Sequence, residues 1–443
     1  MAKKTKDSNL SIEERLEQAL IPSWDEPYKL PENWCWINLK SVLSHQSGNS
    51  KLIKGKLYAE KKNGLYDAYS ASGQDVYTAS YEHEGEAIIV SAVGARCGKA
   101  FLASGKWSAI ANTHIVYTND NLLDIRYLYY ILNDESWWVR SGSAQPFVVV
   151  NESLLRPFAL PPIQEQQRIV KQIETLFAKL DEAKEKAQEV IDGFETRKAA
   201  ILYKAFSGEL TARWRNENDI PREGWQHVKL GYLLKEIKYG TSEKSHYSFS
   251  GVPVLRIPNI GEMELIFDDV KYLQRESCTT NEYLKENDIL IIRSNGSKDL
   301  VGKCALVRKL DREYTYASFL IRLRAVEDFS AEYIVWYLNS EDARRQLFSK
   351  AKSSAGIHNI NSKEIADIDI MIPDVSEQNA IVGLLSNFIE KEKQVREAAE
   401  TVIEQISTMK KAILARAFRG ELGTNDPNEE SAVELLKRIL ESK

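Results

Sequence analysis

Apolar residues recur at alternating steps of three and four along two stretches of the chain, 161–208 and 373–420. In the first, the series is Ile173, Leu176, Leu180, Ala183, Ala187, Val190, Phe194 and Ile201, broken by Arg197. In the second it is Leu385, Phe388, Val395, Ala399, Val402, Ile406, Met409 and Ile413, broken by Glu392. A period of about 3.5 residues sustained this long predicts a narrow coiled-coil seam on two long helices, not the broad stripe of a globular core. The ends are marked as well. Pro161 and Pro162 suit a helix start, Ser376 is placed to cap the second helix, and Gly208 and Gly420 can take the left-handed conformation just past a stop. At 1.5 Å per residue, about forty residues make a rod roughly 60 Å long.

The two stretches are copies of one another. LPPIQEQQRI and KAFSGEL bound the first, IPDVSEQNAI and RAFRGEL the second, and the offset is 212 residues both from Glu165 to Glu377 and from Leu210 to Leu422. The segments between them are related too. LPENWCWINLKSVL resembles IPREGWQHVKLGYLL, placing Trp34 opposite Trp225 and Leu39 opposite Leu230. Further on, EAIIVSAVG faces NDILIIRSNG, IRYLYYILND faces AEYIVWYLNS, and VVVNESLLRPFALP faces HNINSKEIADIDIMIP. Each segment mixes β-branched strands, Gly/Asn/Ser turns and a short aromatic helix, which predicts a compact α+β domain. The chain therefore reads as a duplicated large unit. Its parts are an N-terminal helix and extended arm (1–30), a first domain (31–160), a helical region (161–215), a second domain (216–372), a second helical region (373–422) and a C-terminal helix (423–443). Ser11 and Glu14 form a capping-box pattern at the start of a short helix over 11–20, and 427–440 is a similar amphipathic segment. Both are too short to persist alone and must dock.

At 443 residues with 43% hydrophobic content, the chain has room for two or three domains with real cores. The absence of a run of about eighteen apolar residues argues against a membrane span. MAKKTKDSNL lacks the hydrophobic stretch of a secretory signal. Cys35, Cys97, Cys278 and Cys304 lie far apart and read as reduced thiols of a cytoplasmic protein. A net charge of −5 does not exclude a nucleic-acid face, because that face needs only a local basic patch while the long helices carry much of the acid.

Catalytic signatures fail. The segment from Gly94 through Arg96 and Lys99 to Ala100 is one residue short of a nucleotide-binding P-loop and lacks its magnesium-binding hydroxyl. The six histidines form no H-E-x-x-H pair or zinc knuckle. G-x-S-x-G, a strand-borne G-x-G-x-x-G and the acidic-Pro-Pro-aromatic tetrapeptide of amino-methyltransferases are all missing. What remains is binding. In the first domain SAVGARCGKAF offers Arg96 and Lys99, with Asn112, His114 and Gln145 downstream. In the second, RSNGSKDLVGK offers Arg293, Ser294, Asn295, Lys298 and Lys303, with Lys352, His358 and Asn359 later. Singly, each suits a turn or a solvated charge. Matched in two domains, they fit a DNA face, since Arg and Lys pair with guanine or phosphate and Asn and Gln with adenine. The aromatics of RYLYYILNDESWW sit at helical spacing and read as core.

Two domains separated by repeated helices that open on PP-x-x-EQ and close on AF-x-GEL resemble the specificity (S) subunit of Type I restriction–modification enzymes, over essentially the whole chain. The second copy departs in keeping one proline of the pair. The resemblance implies an α+β fold with two target recognition domains, an antiparallel coiled coil between them and a pseudo-twofold arrangement. It also implies recognition of a bipartite, asymmetric sequence in double-stranded DNA. Two methyltransferase (M) subunits and the restriction (R) subunits would be the partners, holding S-adenosylmethionine, ATP and magnesium, and this chain would have no catalytic residue. A methylation-only complex and a coiled-coil adaptor that binds no DNA stay open on the residues alone.

Overall fold

The structure is a computed structural model and describes residues 10–118, 123–247, 251–275, 283–350, 352–354 and 356–441. Cys278 lies outside them. Two compact units result. One comprises Met1–Lys186 with Val402–Lys443, the other Ala187–Thr401. Both long helices, Ile163–Asp192 and Val375–Phe418, supply residues to both units.

In the first unit the strand Cys35–Asn38 pairs antiparallel with Pro157–Leu160, Trp36 opposite Ala159. Beside it lies an antiparallel sheet in the spatial order Ser44–Ser47, Thr113–Tyr117, Ala87–Ser91, Ala100–Ala103. Ala87–Ser91 is buried throughout. Ile88, Val90 and Val116 pack with Tyr127 and Leu128 of the helix Ile125–Leu132, whereas Ile89 and Ile115 pack on Trp107 and Tyr69. A strand covered on both faces needs a continuous apolar run, which is why EAIIVS does not alternate. The second unit repeats the plan. Gln226–Lys229 pairs with Asp369–Ile372, His227 opposite Met371. The sheet order is Leu234–Tyr239, Leu320–Ala325, Asp288–Ile292, Cys304–Leu306, with the helix Ala331–Leu338 against it. The match extends to single bonds: Tyr127 Oη donates to the Ala159 carbonyl at 3.0 Å, and Tyr333 Oη to the Met371 carbonyl at 2.8 Å.

The repeated Glu-Gln pair has a physical explanation. Gln166 accepts from the Asp124 amide at 2.9 Å and donates to the Pro161 carbonyl at 2.9 Å. Gln378 does the same with the Ser330 amide and the Pro373 carbonyl, both at 2.9 Å. Asp124 and Ser330 are the N-caps of the two aromatic helices, so each glutamine ties a domain helix to the start of a long helix. The glutamates hold the other end. Glu165 accepts from Thr424 at 2.6 Å and from Arg168 at 2.8 Å, and Arg168 also grips Glu429. Burial nonetheless lifts the Glu165 carboxyl above its ordinary range. Glu377 accepts from Thr211 at 2.6 Å, from Trp225 Nε1 at 2.9 Å and from Arg215.

These contacts make the long helices antiparallel inside each unit. In the first, Arg168 reaches Thr424 while Asp181 reaches Lys410; in the second, Thr211 reaches Glu377 while Arg197 reaches Glu392. The two charges that broke the apolar series meet each other. Arg197 Nε and Nη2 bind Glu392 Oε1 and Oε2 at 2.8 and 2.6 Å, a two-pronged pair that satisfies both at the seam.

The seam itself needs correcting. Ile173, Leu385 and Ile406 are buried, as are Ala187 and Ala399. Leu176, Leu180, Phe194, Ile201, Phe388 and Ile413 are half-buried. Val190, Val395 and Val402, expected in the seam, are 37%, 46% and 40% exposed. Val395 and Val402 lie within the uninterrupted helix Val375–Phe418, and nothing in the structure explains their exposure; Val190 lies just before an interruption. Helix Ile163–Asp192 stops, Gly193 caps a new helix Phe194–Phe206, and Arg197 Nη2 donates to the Val190 carbonyl at 2.8 Å. The last turns bury Leu202 and Ala205 in the core that holds the helix Ala331–Leu338 and leave Ile201 half-buried. Truncating Ile406 to Ala should lower unfolding free energy by about 2–3 kcal/mol, and Leu176 to Ala by about half that, measured as shifts of the urea midpoint.

Smaller corrections concern the ends. Asp374 caps the second long helix: its Oδ1 accepts from the amides of Ser376 and Glu377 at 2.9 and 3.0 Å, and Ser376 is inside the helix. Gly208 and Gly420 close their helices with φ of 79° and 72°. The first short helix, Ile12–Ala19, has the expected capping box, while the last begins only at Ala432 and runs to Glu441. The two dock on each other in the first unit. Among the described residues no helix is long and apolar enough to cross a membrane.

Candidate nucleic-acid interface

In the first unit, three loops are stitched together by main-chain bonds. The hairpin 92–99 follows the buried strand Ala87–Ser91. Its Ala92 amide donates to the Asn112 carbonyl, its Gly94 amide to the Pro146 carbonyl, and Val148 donates to the Ala92 carbonyl, each at 2.9 Å. Arg96, Asn112 and Gln145 thus stand, exposed, on one loop cluster. Asn112 holds φ at 60°, a conformation that asparagine tolerates better than most residues. Gly98 is demanded by packing: a Cβ there would come within 2.9 Å of Trp138. Lys99 is half-buried at the strand start. His114 departs from the loop face. It lies on strand Thr113–Tyr117, half-buried, with Nδ1 buried and unpartnered; burial, and then the neighbouring His45, depress its pKa.

In the second unit the candidates gather more tightly. Ser294 and Asn295 pair with Asn359 and His358, and Lys352 pairs with Asn359, forming one small sheet of Ser294–Asn295, Ile357–Asn359 and Lys352–Ser354. Arg293 opens it. Its amide donates to the Phe319 carbonyl at 3.0 Å, and its carbonyl accepts from Ile360 at 2.9 Å. Its guanidinium lies 4.7 Å over the Tyr239 ring with Nε buried and unpartnered. Lys298 sits over the Phe348 ring at 5.0 Å. Lys303 does not join the sheet; its side chain lines a separate cleft with Glu195, Lys198, Asp299 and Arg344.

Sequence reasoning missed Tyr239, Arg140 and Phe147. Arg140 pairs with Val148 in the hairpin that carries Gln145, and Phe147 is 44% exposed beside it. The available signal was an aromatic in the Gly/Ser-rich SGSAQPF, a poor place for a core residue. No group of three or more His, Cys, Asp or Glu able to hold a metal occurs among the described residues.

The family model for the Type I restriction modification DNA specificity domain matches residues 31–191 and 222–405. The chain belongs to this specificity family. Its relatives include the EcoKI specificity subunit of Escherichia coli K12, 30% identical over 290 residues that make up 63% of this chain and 62% of that one. The EcoDI specificity subunit of Escherichia coli is 22% identical over 93% of this chain and 95% of the other. The alignments thus span under two thirds of the EcoKI subunit but nearly all of the EcoDI subunit. Two solved structures share the fold of this specificity-family chain. An HsdS subunit from Thermoanaerobacter tengcongensis superposes with a TM-score of 0.59 at 19% identity, covering 90% of this chain and all of that one. A chain solved in work on assembly and conformational transition of the type I restriction–modification system gives 0.62 at 18% identity, covering 89% of this chain and all of its own.

Proposed function

We propose that this chain is the DNA sequence-recognition subunit of a Type I restriction–modification complex, reading one half of a bipartite, asymmetric target with each duplicated domain. One observation carries the reading. At corresponding strand ends, both units gather Arg and Asn with either Gln or His on a face held rigid by main-chain bonds. Donor-rich side chains on a stiff scaffold suit base edges and phosphates. The EQ and GEL segments make the frame on which two methyltransferase subunits and the restriction subunits assemble. S-adenosylmethionine, ATP and magnesium belong to those subunits, and this chain contributes no catalytic group. The complex works in the cytoplasm, where the chain's thiols stay reduced.

The test is a salt titration of binding to the methylation-mapped target, using the complex with its methyltransferase partners. Arg96→Ala should weaken binding and reduce the slope of log K against log salt by about one. An unaltered slope would remove Arg96 from the interface, and no binding to any duplex would favour the adaptor.

A further inference from the structure

We propose that the second unit carries a docking pocket for a tyrosine presented on an extended segment of a partner protein. The inference stands apart from DNA recognition and rests on comparing each unit's internal packing.

In the first unit, Tyr28 of the N-terminal arm closes the end of the second long helix. Its hydroxyl donates to the Phe418 carbonyl at 3.2 Å, and its ring meets Trp36 edge-on at 4.8 Å. Its carbonyl accepts from Trp36 Nε1 at 3.1 Å, and Arg419 lies over its ring at 5.2 Å. Beneath it, Phe418 packs edge-on against Tyr127. The second unit builds the same floor, with Phe206 edge-on against Tyr333. Among the described residues no arm lies across that floor. After the turn at Gly208 the chain enters the short helix Ala212–Glu217, held by Arg215 on Glu377. What remains is a cavity of about 280 Å³ walled by Leu202, Tyr203, Phe206, His227, Tyr337 and Met371.

The exposures record the difference. Trp36 is 5% exposed under Tyr28, whereas the side chain of His227, opposite Met371 as Trp36 is opposite Ala159, is 64% exposed, and Tyr203 at the mouth is 70% exposed. The Phe206 carbonyl, counterpart of the Phe418 carbonyl that Tyr28 binds, accepts no hydrogen bond among the described residues.

The floor specifies its occupant. A phenol has the length to reach the Phe206 carbonyl while its ring lies on His227 and Met371, and His227, whose Nε2 faces Asp369 Oδ1 at 3.5 Å, can offer Nδ1 to the incoming main chain where Trp36 offers its indole N–H. The rim carries Glu341, Asp342 and Asp369; Arg345 pairs with Asp342 and Lys229 with Asp369, so one carboxylate is in excess and a basic residue next to the tyrosine is favoured, as Lys29 follows Tyr28.

The probe is the peptide PSWDEPYKLPEN, residues 22–33 of this chain, titrated by fluorescence anisotropy against the full chain. Saturable binding should weaken at least about tenfold on Ala199→Trp, which fills the mouth, and about fivefold when the peptide tyrosine is replaced by phenylalanine, which removes one hydrogen bond. Should Ala199→Trp fail to fold, Tyr203→Ala should weaken binding about fivefold by removing one wall. Absence of saturable binding overturns the proposal. So does binding that ignores Ala199→Trp but is lost with Trp36→Ala, since the peptide is then displacing Tyr28 in the first unit. A chain dimer dissolved by Ala199→Trp would make a second copy the occupant and overturn the partner assignment.

Discussion

Replacing Glu377 with alanine will lower the unfolding free energy of the chain by about 3–5 kcal/mol, read as a shift of the urea midpoint at unchanged slope. Glu377 and Arg215 are 1% and 6% exposed, and Thr211 and Trp225 spend their donors on the same carboxylate. Removing the carboxylate leaves a buried guanidinium with only Thr211 Oγ1 and the Gly208 carbonyl, its counter-charge gone, and takes the acceptor from Thr211 and Trp225. Glu165 gives the control. It is equally buried, but its Arg168 is 38% exposed and keeps Glu429, so Glu165→Ala should cost about half as much. Equal losses at the two sites, or a loss below about 1 kcal/mol at Glu377, would refute this account of the repeated motif.

Exchanging residues 31–160 for the corresponding domain of another specificity subunit should change one half of the methylated target and leave the other half intact. The junctions matter. Trp34 Nε1 binds Asn425 at 3.1 Å, the Asp124 amide binds Gln166, and strand Cys35–Asn38 pairs with Pro157–Leu160. An exchange that keeps those groups keeps the frame, and one that loses the N-cap aspartate also loses a buried amide's partner. Mapping methylated bases in cells that carry the exchange decides it. A target changed in both halves, or in neither, would refute one reader per domain.

The duplicated plan was visible in the sequence because it rests on periodicity and spacing, which survive divergence. The Trp34/Trp225 and Glu165/Glu377 correspondences mark equivalent structural positions. The exposed valines were not visible. A 3-4 series does not reveal that the first helix is interrupted at Gly193, that Leu202 and Ala205 face their own unit's core, or that Arg197 and Glu392 interrupt their series in order to meet. Arg293, Ser294 and Asn295, chosen by their place after a buried strand, fell together with the later candidates His358 and Asn359, because the two short segments pair as strands. His114 and Lys303 did not, since strand pleat and the neighbouring helix set where those side chains point.

The Glu-Gln clasps draw their donors and acceptors from helix starts, N-caps, the segments that follow the long helices and Trp225, and none from the loops that carry Arg96, Asn112 or Asn295. Substitution of the exposed side chains on those loops therefore leaves the clasps intact. A change in what those loops present calls for no compensating change at the clasps.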